Sequence, residues 1–195
     1  MDISLIVLII VTIGLLYYVL YFKNKGTKKV TSVQIADLLY SYIDDKTAKI
    51  LDDRLIKDLQ DLKIEIPDLN KLKSEMFYLN MFAISYTLMP VNSSGKIVKV
   101  LFRVIVEKLQ KDKFSQDNIN QIIYTLGERF ETYSKAMSNQ EGTGPLWYLS
   151  KEISKNIFGE IVENAFVCTR FATEFTFYIT EYAKVINKYK ITDLV

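Results

Sequence analysis

Apolar positions along this chain fall into two patterns, one unbroken run at the start and a series of helical stripes after it. Ile3 to Phe22, "ISLIVLIIVTIGLLYYVLYF", is 20 consecutive residues without a charge. As a helix rising about 1.5 Å per residue it spans roughly 30 Å, the thickness of a hydrocarbon core. Tyr17, Tyr18, Tyr21 and Phe22 gather at its end, where amphipathic rings favour the headgroup boundary, and Lys23, Lys25, Lys28 and Lys29 follow directly. A secretory leader starts basic, has a shorter apolar run and ends in small residues, whereas this run starts Met-Asp and ends in tyrosine and lysine. The pattern predicts an uncleaved transmembrane anchor over residues 1–22, a basic juxtamembrane linker over 23–30 and an all-helical domain over 31–195. Lysine-rich flanks stay on the cytoplasmic side. The expected topology is therefore single-pass, amino terminus outside and domain cytoplasmic.

After the linker the period changes to that of helices. Thr31 and Gln34 have capping-box spacing, and Ile35, Leu38, Leu39 and Tyr42 share one face, so a first helix is expected to about Ile43. Asp45 is the expected cap of a second, running to about Lys63 with Leu51, Leu55, Leu59 and Leu62 inward. Pro67 is expected to open a third helix and Pro90 to close it, around the uncharged stretch Met76–Met89 of 14 residues, too short for another span. Lys96, Lys99, Arg103, Glu107 and Lys111 recur at helical intervals, which assigns the β-branched run "KIVKVLFRVIVEKLQK" to a fourth helix. Ser115 caps a fifth, Pro145 begins a sixth, and Gly159 marks its end. The last helix, from about Glu160 to Tyr189, carries Ile161, Ala165, Cys168, Ala172, Phe175, Ile179, Tyr182, Ile186 and Tyr189 at alternating spacings of four and three. Such a seam packs either along its own bundle or against a second copy. Its candidate interaction residues are Cys168, Ala172, Phe175, Ile179, Tyr182 and Ile186. The result is a bundle of about seven helices behind one anchor.

Charge narrows the partners. Of 25 basic residues four lie between 23 and 29, and of 23 acidic residues one, Asp2, precedes them, so residues 30–195 hold 21 basic and 22 acidic groups, net −1. A near-neutral domain lacks the basic face that nucleic acid requires. The four lysines suit anionic headgroups at roughly 1 kcal/mol each. The chain has no histidine and one cysteine. The usual general base near neutral pH and the commonest metal ligand are thus missing.

No constellation replaces them. Glu128/Glu131 and Glu160/Glu163 are Glu-x-x-Glu pairs, but ferritin-type helical metal sites also need Glu-x-x-His. Arg170 and Glu174, one turn apart among Phe171, Phe175 and Phe177, form either a helix-stabilising pair or a polar hook for a ligand. Thr169, Thr173, Thr176 and Thr180 form a polar stripe beside the seam, of a kind that usually bonds its own preceding turn. "SSGK" at 93–96 and "GTGP" at 142–145 precede helix starts without completing a phosphate loop. Asn92-Ser93-Ser94 is a glycosylation sequon, relevant only to a lumenal domain. No catalytic residue, cofactor or metal ligand is assigned. The leading expectation is a membrane-anchored interaction or scaffold module that binds an unknown protein or itself. A helical domain holding a lipid or other apolar ligand is the alternative, and a carboxylate-metal enzyme the third.

Overall fold

The computed structural model describes residues 28–51, 54–91, 95–162 and 164–193, with the side chains of 44–51 outside that description. Seven helices fill these residues: α1 (Ser32–Leu51), α2 (Arg54–Asp61), α3 (Leu69–Leu88), α4 (Lys96–Lys111), α5 (Gln116–Ser138), α6 (Pro145–Phe158) and α7 (Ala165–Ile186). Two short strands, β1 (Lys28–Val30) and β2 (Tyr189–Ile191), pair in parallel. The domain is all-α apart from this ribbon. The expected anchor, Ile3–Phe22, and Lys23 and Lys25 lie outside the described residues. Among the described residues no helix is long and apolar enough to cross a membrane.

The uncharged stretch of α3 forms the centre of the bundle. Met76, Leu79, Met81, Ala83, Ile84 and Leu88 are each fully buried, and α3 packs against α1, α4, α5, α6 and α7. Phe82 stacks on Phe175 of α7 with ring centroids 5.7 Å apart and meets Tyr133 of α5 edge-on at 5.4 Å. Burying an aromatic side chain removes roughly 150–250 Å² from water, and edge contacts add roughly 0.5–1.5 kcal/mol per pair.

Caps account for most boundaries. Thr31 and Gln34 form the expected box, the Thr31 hydroxyl accepting the Gln34 N–H at 3.2 Å and the Gln34 side chain accepting the Thr31 N–H at 2.9 Å. Ser115 caps α5 by accepting the Asn118 N–H at 3.2 Å, Pro145 opens α6, and Gly159 ends it in the left-handed conformation at φ 83°. Several boundaries differ from the expectation. α1 continues through Asp45, since no Pro or Gly interrupts residues 32–51. α3 starts at Leu69 because Asp68 takes the cap, accepting the Asn70 and Lys71 N–H groups at 2.8 and 3.3 Å, so Pro67 stands before the helix. α7 starts at Ala165, where the Asn164 side chain accepts the Phe166 N–H at 2.9 Å. Ile161 therefore lies in an exposed connection, and Tyr189 leaves the helix for β2. Leu38, expected inward on α1, is exposed, while Ile35, Leu39 and Ile43 are buried.

The ribbon is where sequence and structure differ most. Residues 28–30, expected as linker, run beside 189–191 in the register Lys28–Tyr189, Lys29–Lys190 and Val30–Ile191. Strands of three residues are too short to show a period of two. Asp193 closes the clasp, accepting the Ser32 backbone N–H and the Ser32 hydroxyl at 2.7 Å each, while the Lys96 ammonium donates to the Asp193 carbonyl.

Candidate functional site

α3 carries an acid on its buried face. Glu75 follows Leu72 by three positions and precedes Leu79 by four, so helical spacing sets it among residues that face the core, and it is 2 % exposed. Its carboxylate accepts hydrogen bonds from Arg129 Nε at 2.9 Å, from Asn156 Nδ2 at 2.8 Å and from the Tyr133 hydroxyl. The donors come from α5, where Arg129 and Tyr133 are one turn apart, and from α6. Burial and then the Glu75 charge push the Tyr133 hydroxyl well above its ordinary range. Burial pulls the Arg129 guanidinium down, but the Glu75 charge and hydrogen bond more than offset it and leave it raised. The network forms the inner wall of a pocket of about 530 Å³ rimmed by Asp68, Asn70, Lys71, Ser74 and Phe158. With donors on both its oxygens, the Glu75 carboxylate is poorly placed to abstract a proton; Arg129 commits one of its five N–H donors to it.

A second charged network joins α2 to α7. Arg170 Nε donates to Asp58 Oδ2 at 2.7 Å, and Arg170 Nη1 pairs with Glu174 on its own helix. The i, i+4 pair legible in the sequence is thus half of a three-residue bridge. It lines a groove of about 340 Å³ with Asp61, Leu62, Phe166, Thr169 and Thr173. Phe166, in the first turn of α7, stands 71 % exposed at the groove, while Val162 in the preceding connection is half-buried. Thr173, Thr176 and Thr180 donate to the carbonyls of Thr169, Ala172 and Thr176 at 2.8 to 2.9 Å, so three of the stripe's four hydroxyls bond their own preceding turn. On the inner side of α7, Tyr182 donates to Asn80 Oδ1 at 2.6 Å and Asn80 Nδ2 donates to the Met76 carbonyl at 3.0 Å. The buried Tyr178 hydroxyl lies beside the Asn80 side chain without a well-formed hydrogen bond, and burial followed by the Glu174 charge raises its pKa.

The residues singled out in the sequence separate into three groups. Tyr17, Tyr18, Tyr21, Phe22, Lys23 and Lys25 lie outside the described residues; Lys28 and Lys29 are exposed on β1. The seam residues Cys168, Ala172, Phe175, Ile179, Tyr182 and Ile186 are all buried within the chain's own bundle, none more than 8 % exposed. Facing α3 and α6, they are unavailable to a second copy unless the fold opens. Glu128, Glu131 and Glu160 are exposed. Among the described residues no three His, Cys, Asp or Glu side chains come together to hold a metal.

Glu75, Arg129 and Asn156 were not singled out in the sequence. The available signal was an acid in register with Leu72, Met76 and Leu79, which on a buried face demands a partner. No family model matches the chain, and no curated protein or solved structure is significantly similar to it.

Proposed function

We propose that this chain is a single-pass membrane protein whose helical domain sits at the cytoplasmic face of the bilayer and binds a partner protein through the α2/α7 groove. The observation carrying the partner reading is Phe166, 71 % exposed beside Arg170. Aromatic residues, Phe among them, and arginine are both enriched in the cores of protein interfaces. Arg170 lies between two carboxylates, one of them the half-buried Asp58, so an acidic group on the partner can compete for the guanidinium. Support for anchoring is the 20-residue uncharged run, its aromatic end and the lysines after it.

Self-association through the α7 seam loses its motivation, because those side chains already fill the core. An apolar cargo between α3 and α7 has no comparable support: Phe82 stacks on Phe175 there and Tyr182 bonds Asn80.

The test is chemical crosslinking of the full chain in its own membrane, comparing wild type, Phe166→Asp and Tyr124→Asp. Tyr124 is 64 % exposed on α5 and serves as the control. Proteins lost from the first variant and kept by the second identify the groove's partner. Identical crosslinks from all three would refute the groove.

A further inference from the structure

Pairing of β1 with β2 gathers lysines from the two ends of the described chain. Lys29 and Lys190 are register partners, and both are exposed. Partners on neighbouring strands project from the same face. Val30 and Ile191, one position on, are half-buried and buried, so the ribbon turns that face inward and the Lys29/Lys190 face outward. Lys188, in the turn between α7 and β2, is also exposed, its N–H donating back to the Val185 carbonyl at 3.1 Å. Like charges side by side on adjacent strands destabilise the pairing. Neither strand of the ribbon carries an acid, and Asp193, two residues past β2, is engaged by Ser32 and Lys96.

Direction and tether length say what covers this face. The strands are parallel, so the chain enters β1 at the end where Lys188 and Tyr189 enter β2. Five residues, and so six peptide steps, separate Phe22 from Lys28, a reach of no more than about 22 Å fully extended. If the span ends at Phe22, the start of β1 at Lys28 lies within that distance of the headgroups, and the rest of the ribbon follows directly from it.

We infer that the ribbon is a second membrane contact: Lys190 and the neighbouring Lys188 join Lys29 on the anionic phospholipid surface, fixing the domain with its carboxy-terminal strand against the bilayer. This rests on the anchored reading above and adds an orientation to it. A flexible linker would leave the domain free to turn, whereas a ribbon held at both ends gives it one membrane-facing side. Each added lysine near an anionic surface is worth about 1 kcal/mol, screened by salt.

The full-length wild-type chain, reconstituted in vesicles of phosphatidylcholine alone or mixed with phosphatidylglycerol, tests this by amine acetylation followed residue by residue in mass spectrometry. Lys188 and Lys190 are expected to react roughly fivefold more slowly in the anionic vesicles, equivalent to about 1 kcal/mol. High salt should restore their rates. Lys73 on α3 and Lys111 at the end of α4, both exposed, should be unaffected. Equal rates for Lys188 and Lys190 in both vesicles, in protein that resists carbonate extraction, overturn the ribbon contact and leave the anchor standing. Release of the protein by carbonate overturns both.

Discussion

Glu75 and Arg170 are each the centre of a charged network on a helix that packs in the core, and they differ in what surrounds the charge. The Glu75 side chain is 3 % exposed and is closed in by donors from two other helices. Arg170 is 16 % exposed and leans on Asp58, itself 37 % exposed, so water reaches half of its bridge. A charge sealed from water depends wholly on its partners, because removing one leaves the other buried and uncompensated. A charge at a lip can be resolvated or exchange partners at little cost. The first network therefore locks α3, α5 and α6 together, and the second is the one able to take part in recognition.

The largest expected effect comes from breaking the lock. Glu75→Ala leaves Arg129 and the Tyr133 hydroxyl facing a cavity and should lower the unfolding free energy by about 3–5 kcal/mol in urea titrations. Arg170→Ala should cost less, about 1–3 kcal/mol, since only Glu174, at 8 % side-chain exposure, is left buried. Adding Glu174→Gln to Arg170→Ala should recover part of that loss. Should Arg170→Ala prove as costly as Glu75→Ala, the division into a lock and a recognition surface is wrong.

The difference also explains what could be read from sequence. Helix existence was legible because every stripe repeats locally: Leu146, Leu149, Ile153 and Ile157 lie on one face of α6 and are all buried. Caps were legible where Ser, Thr or Pro stands alone at a helix start, as at Thr31, Ser115 and Pro145. They failed where two signals compete, as when Asp68 rather than Pro67 set the start of α3. Arg170/Glu174 was visible because its members are four apart. Asp58, 112 positions away from Arg170, was not. Glu75 with Arg129 and Asn156, separated by 54 and 81 positions, and the ribbon joining residues 28–30 to 189–191 are products of tertiary packing that no local period records.

Two tyrosine hydroxyls offer the finest test of the same contrast. Tyr133→Phe removes a donor to the buried Glu75 carboxylate and should cost about 1.5–3 kcal/mol, the range for a hydrogen bond to a charged group. Tyr178→Phe removes a buried hydroxyl that makes no well-formed hydrogen bond to its neighbour Asn80, so little is lost on the other side. Its desolvation penalty disappears, and stability at neutral pH should stay within about 1 kcal/mol of wild type, on the stabilising side. The pH dependence carries a further sign. The Tyr178 pKa is raised on folding from an ordinary 10.0, so its contribution is fully present below pH 10. Above that the unfolded chain ionises first, and stability falls by about 1.4 kcal/mol per pH unit for this group alone. Tyr178→Phe should flatten alkaline unfolding by that slope while leaving the neutral-pH midpoint almost unmoved. A large loss at neutral pH would mean that the hydroxyl has a partner after all, and that the inner face of α7 is as tightly locked as the surroundings of Glu75.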